Sequence, residues 1–358
     1  MTDTADVTER PRAPGGHDPP EEHEAAEMLA SVRRRVGPVL RTAVASLPEA
    51  LRRVALPHLG WGHADGTPAP GGAGAAARPA LVLAAVRALG GDPGVAVRAA
   101  AAVELTHGRA RLRDGVLDRA VVRGRRPTAE ALPGGADAIL AGDALQAVAQ
   151  RLLAEDPHPG APAAAARLAA CVVELCAARH LEHVLERRRS VEVAPAEWIA
   201  VAETGAGAFL GCACAIGAVY AGAGPEVADA LDGFGRQAGL AFRLIDDVIG
   251  IWGDPARAGG AARGDLAARG KSLPVVAALA SGTPDGAALA GLYDREPGER
   301  DRERLARAVE RAGGRDWAQT QAADRMSRAL GELARAVPDP ERAGELLALT
   351  ELVTRRSC

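Results

Sequence analysis

Aromatic side chains are scarce in this sequence: four Trp, two Tyr and three Phe in 358 residues. That scarcity excludes a core built on stacked rings, so Ala, Leu and Val must fill it. Cysteine is also sparse, at five. The number is odd and no pair shows a metal spacing, which excludes a disulfide framework or a zinc ribbon. Cys171, Cys176, Cys212 and Cys214 read as small buried hydrophobes in a reducing cytosol. No surplus of charge exists, with a net −3, which leaves no argument for nucleic acid as a partner. The opening residues are polar, acidic and rich in Pro and Gly, unlike a secretory signal. A soluble cytoplasmic protein is the expectation.

One uncharged stretch, residues 204–225 (TGAGAFLGCACAIGAVYAGAGP), is long enough to cross a bilayer. Half of it is Gly and Ala, and no second such stretch accompanies it. It therefore reads as a central helix packed closely against neighbours, not as a stable membrane span.

What the chain has in quantity is helical periodicity. Apolar positions recur at three and four residues through 26–47, 79–90, 95–118, 136–154, 163–189, 196–221, 226–252, 272–281, 301–312 and 317–355. Gly- and Pro-rich breaks fall at 60–78, 90–94, 132–135, 156–162, 253–264 and 282–300. No run of alternating β-branched residues indicates a sheet. Residues 1–24 hold too few apolar groups to offset ordering entropy and read as a disordered tail. The expectation is one all-α domain over 25–358, a bundle of about ten helices.

Two acidic clusters interrupt this pattern. RARLRDGVLD at 109–118 carries Asp114 and Asp118 four residues apart, on one helix face. Gly115 between them costs a helix interior roughly 1 kcal/mol relative to Ala. FRLIDDVIGIWGDP at 242–255 places Asp246 and Asp247 on a strongly apolar helix. Adjacent carboxylates in such surroundings are costly unless solvated, paired or bound to a cation. Hard oxygen donors without Cys or His point to Mg²⁺, which works together with substrate phosphates. His180 and His183 look like half a metal site but read as a solvated face.

Further landmarks run in order along the chain: ARPALVLAAVRALGG at 77–91, AAVELTH at 101–107, RGRRPT at 123–128, AILAGDAL at 138–145 and GDLAARGKSLPVVAAL at 264–279. With the two acidic clusters, they make the chain resemble the polyprenyl (trans-isoprenyl) diphosphate synthases, in particular an actinobacterial type. The resemblance covers roughly residues 28 to 350. It implies the isoprenoid synthase fold, a single helical bundle around a deep central cavity with two aspartate-rich helices facing each other. It also implies Mg²⁺ on Asp114, Asp118, Asp246 and Asp247, gripping an allylic diphosphate. Ionisation would give an allylic cation, attacked by the double bond of isopentenyl diphosphate. Arg78 and His107 match residues that meet isopentenyl diphosphate. Arg123, Thr204 and Lys271 match other diphosphate-binding positions.

The departures from the family pattern are as informative as the matches. Gly115 replaces the second aspartate of the first motif, and Gly250 stands where many members have a third in the second. Ala75 and Gly260 replace lysines, Gly124 replaces an arginine, and Glu203 reverses the charge of a lysine. A Gly-Gln pair reads Ala178-Arg179, and the Phe-Gln before the second motif reads Phe242-Arg243. Arg109 stands where prenyl chains normally pack. Each charge-assisted contact to a diphosphate is worth roughly 1.5–3 kcal/mol. At about 1.4 kcal/mol per tenfold, the losses together weaken binding by orders of magnitude. Arg111 and Asp114 share a helix face, which predicts a guanidinium that neutralises the motif.

Three functions follow. The first is a Mg²⁺-dependent prenyltransferase with weakened substrate sites. The second is a class I terpene cyclase that uses an allylic diphosphate alone, although Phe242 is the one aromatic expected on the cavity face to stabilise a cation. The third is a non-catalytic or regulatory partner of an active prenyl synthase. A homodimer, or a heterodimer with such a synthase, is implied. Members of the actinobacterial type can be encapsulin cargo, a role in which the 1–24 tail would be the docking tag.

Overall fold

The computed structural model describes residues 20–60, 62, 76–117, 122–123, 126–127, 135–253, 266, 270–293 and 301–355. Among these, fourteen α-helices make up the fold. The first part of the chain forms α1 (Pro20–Ala45), α2 (Glu49–Leu59), α3 (Ala77–Ala88) and α4 (Val97–Leu117). A two-residue ladder follows, β1 (Val122–Arg123) against β2 (Arg126–Pro127), antiparallel with Arg123 opposite Arg126. Then come α5 (Gly135–Ala154), α6 (Ala161–Arg187) and α7 (Pro195–Ala202). A π turn over Glu203–Gly207 joins α7 to α8 (Ala208–Tyr220), and α9 spans Pro225–Trp252. The last five are α10 (Leu273–Leu279), α11 (Pro284–Tyr293), α12 (Asp301–Arg311), α13 (Gly314–Ala336) and α14 (Pro340–Arg355).

Most of these match the periodic runs, and the differences have local causes. Helix α1 begins inside the segment assigned to the tail, whose residues 1–19 lie outside the described ones. Helix α2 escapes the periodicity because Arg and His interrupt it; its end is marked by Gly60 at φ 73°, which closes the last turn. Helix α11 falls within a segment read as a break, beginning at Pro284 as helices often do. The single run over 317–355 is two helices, parted at Val337–Asp339 ahead of Pro340.

The uncharged stretch forms α8 and is buried almost along its whole length, as is α3 beside it. Glycine makes this closeness possible. A Cβ on Gly217 would lie 2.4 Å from the Val82 carbonyl oxygen and 2.6 Å from the Ala85 side chain. Between the π turn with α8 and α9, Gly207 and Gly211 face Gly239 and Gly235, where an added Cβ would meet backbone at 2.5–2.8 Å. A core short of rings is thus packed through small residues that let backbones touch. Two stretches, Ala161–Arg187 and Pro195–Tyr220, are long and apolar enough to cross a membrane, and 67% of the apolar window in the second is buried inside the protein. Cys171, Cys212 and Cys214 are buried as expected, whereas Cys176 is exposed on α6.

Candidate functional site

Two clusters form where α3, α4, α6, α8 and α9 converge. In the first, Arg78 on α3 and His107 on α4 meet at 3.1 Å, Nη1 to Nε2. The Arg78 guanidinium lies 5.4 Å from the centre of the Phe209 ring on α8, and His107 lies 5.8 Å from it, tilted. A cation over an aromatic face is held by the ring quadrupole, the more so where water is excluded. Burial lowers the Arg78 pKa, opposed by the carboxylate of Glu104. Glu104 itself, one turn before His107, is 7% exposed, and its Oε2 has no hydrogen-bond partner. Burial pushes its pKa up to about 7, against the pull of Arg78 and Arg111.

The second cluster joins the two aspartate motifs. At the end of α4, Asp114 Oδ1 accepts from Arg113 at 3.0 and 3.2 Å, and Arg179 Nε on α6 lies 3.8 Å away. Arg179 donates to Glu182 at 2.6 Å, one turn along α6. The other oxygen of Glu182 lies 3.9 Å from Arg243 on α9, and Arg243 Nε donates to Asp247 Oδ1 at 2.9 Å. The remaining oxygen of Asp247 accepts from the backbone N–H of Leu273 at 2.9 Å, where α10 begins. Asp247, Glu182 and Asp246 all raise the Arg243 pKa, Asp247 most, against the opposing effect of burial. A continuous chain of alternating charge therefore runs from the first motif to the second.

Several sequence expectations change here. The guanidiniums that meet Asp114 are Arg113 and Arg179. Arg111, expected beside Asp114, lies close enough to Glu104 and Arg78 to act on both of their charges. Lys271 is 5% exposed, and its Nζ donates to the carbonyls of Leu185 and Glu186 at 2.7 Å and to that of Arg188. It closes the end of α6 and is not aimed at the motifs. Thr204 Oγ1 donates to the carbonyls of Ala200 and Val201 at 2.6 and 3.3 Å, within the π turn. Arg109 turns toward α6, its Nη2 3.5 Å from Cys176 Sγ. Arg123 sits on β1; its side chain, Asp118, Ala75, Gly124 and Gly260 lie outside the described residues. His180 and His183 are exposed, as expected of a solvated face.

Glu104 and Glu182 were not singled out from the sequence. Glu104 could have been, being a carboxylate inside an otherwise apolar run of Ala, Val and Leu. Carboxylates without Cys or His are the donor set that Mg²⁺ takes, so the residue types at the motifs fit that ion. The geometry adds that guanidiniums already stand against the carboxylates of Asp114 and Asp247.

A helical bundle with two facing acidic motifs defines the isoprenoid synthase fold. The polyprenyl synthetase family signature matches residues 69–311, and the chain belongs to that family. It is 40% identical over 334 residues to the geranylgeranyl diphosphate synthase of Mycobacterium tuberculosis strain H37Rv, covering 92% of this chain and 94% of that one. It is 35% identical over 335 residues to the (2E,6E)-farnesyl diphosphate synthase of the same strain, covering 92% of each. Among solved structures, a polyprenyl synthetase from Streptomyces coelicolor A3(2) superposes with a TM-score of 0.86 at 36% identity, covering 92% of this chain and 99% of that one. A polyprenyl synthase from Caulobacter crescentus, complexed with calcium and isoprenyl diphosphate, superposes with a TM-score of 0.77 at 26% identity, covering 97% and 100%.

Proposed function

We propose that this protein is a cytoplasmic prenyltransferase that joins an allylic diphosphate to isopentenyl diphosphate. The observation that carries the reading is the Arg78–His107 contact. Two residues from different helices, each matched to isopentenyl diphosphate recognition, meet beside one aromatic face. Their donors can hold the diphosphate of that substrate while the half-buried setting strengthens each charge-assisted bond. The allylic carbon–oxygen bond breaks, the isopentenyl double bond attacks the cation, and a proton leaves to form the product double bond. Mg²⁺ on Asp114, Asp118, Asp246 and Asp247 would supply positive charge to the leaving diphosphate. Arg123 would add a contact to it, and Thr204 would do so only by giving up its hydroxyl bonds to the Ala200 and Val201 carbonyls.

The named products of the two mycobacterial relatives make short-chain prenyl diphosphates the first to look for. The exposed apolar face of α6, with Val173, Leu181 and Val184, adjoins Ile139 and Leu140 of α5, and a second copy of the chain would cover it. The guanidiniums on Asp114 and Asp247 favour a second reading, a partner of an active synthase that does not itself turn over.

One experiment separates these. Purified protein is incubated with Mg²⁺ and dimethylallyl, geranyl, farnesyl or geranylgeranyl diphosphate, each with and without isopentenyl diphosphate. Chain-extended diphosphates establish the prenyltransferase. Hydrocarbons or alcohols formed without isopentenyl diphosphate identify a cyclase, and no product in any tube identifies the non-catalytic partner.

A further inference from the structure

We propose that Arg179 and Arg243, bridged by Glu182, are built-in counter-cations of the two aspartate motifs, with Arg113 beside Arg179 on Asp114, so that Mg²⁺ reaches Asp114 and Asp247 only by displacing guanidiniums. The inference deepens the reading above, since it concerns the same motifs, and names what regulates their metal.

The chain of contacts is continuous: Asp114 to Arg179 at 3.8 Å, Arg179 to Glu182 at 2.6 Å, Glu182 to Arg243 at 3.9 Å and Arg243 to Asp247 at 2.9 Å. A guanidinium within contact distance of a carboxylate repels a divalent cation approaching that carboxylate, strongly where water is scarce. Asp247 is also anchored on its other oxygen by the Leu273 N–H. That anchor fixes the carboxylate in place, and the exchange needs only the swing of the Arg243 side chain. Glu182 supplies the alternative seat, because it lies against both arginines and can hold them once they leave the aspartates.

The test titrates Mg²⁺ into the full-length protein by calorimetry without substrate, comparing wild type with the Arg113→Gln, Arg179→Gln double variant, Arg243→Gln and Glu182→Gln. Each Arg→Gln variant should bind Mg²⁺ about tenfold more tightly, the loss of roughly one charge-assisted contact, and its melting temperature should rise more on adding Mg²⁺. Measurable binding in a variant where wild type shows none counts the same way. Glu182→Gln should bind no more tightly than wild type, because its arginines then lose the seat that would receive them on leaving the aspartates. Unchanged or weaker Mg²⁺ binding in both arginine variants overturns the proposal. So does tightening in Glu182→Gln as large as in theirs, since that shows mere loosening of the helices. Absence of product in the turnover assay bears on the prenyltransferase reading and leaves this measurement intact.

Discussion

Glu104 is the residue whose chemistry departs furthest from its surroundings. Its pKa rises from 4.5 to about 7 in the folded protein because burial disfavours the charged form more than Arg78 and Arg111 favour it. Between those values the folded state keeps a proton that the unfolded state has lost. Stability is therefore fully present below about pH 4.5 and falls as pH rises through 7, by about 3 kcal/mol in all at about 1.4 kcal/mol per pH unit. Glu104→Gln should flatten this slope, read as a smaller difference between urea midpoints near pH 5 and near pH 8. Beside it, His107→Ala should raise KM for isopentenyl diphosphate about tenfold while changing KM for the allylic substrate far less, measured by steady-state kinetics. Equal effects on both substrates would remove His107 from the isopentenyl side. The run of Ala, Val and Leu around Glu104 marked it as out of place, but a carboxylate on a helix is ordinarily solvated, and only the folded chain shows it buried.

Among the elements, α6 and α9 carry the site because their ends are fixed by contacts unrelated to substrate. Lys271 donates to three carbonyls at the end of α6 and its cap, those of Leu185, Glu186 and Arg188. Lys271→Met should cost about 3 kcal/mol or more, from several charge-assisted bonds at once, and the loss should appear in urea unfolding with no substrate present. An effect confined to diphosphate affinity would return Lys271 to the binding role its sequence position implies. The glycine contact between α8 and α9 is as demanding. A Cβ on Gly235 would sit 2.5 Å from the Leu210 carbonyl oxygen, so Gly235→Ala should destabilise by about 1–3 kcal/mol or more, seen as a lower melting temperature. The helices themselves were legible from periodicity. The glycine registry was not, because a Gly in a helical run reads equally as a weakness or as a contact.

At the scale of the whole molecule, the described residues include an exposed apolar stripe along α6 and the start of α5, where Val173 is 69% exposed and Leu140 55%. Monomeric proteins rarely leave such a stripe uncovered. Val173→Arg should convert the proposed dimer to monomer by light scattering after gel filtration, without altering the helical circular dichroism. The sequence by itself determined the all-α architecture, the order of its motifs and the family, because the 3.6-residue period and short motif spacings are local properties of the chain. The tertiary structure alone decided which cation meets which aspartate. Arg111 shares a face with Asp114 by spacing, yet Arg179 arrives from α6 and Arg243 reaches Asp247 while α10 holds the same carboxylate. Long charged side chains choose partners across helices by distance in space, and that distance is set only when the bundle closes.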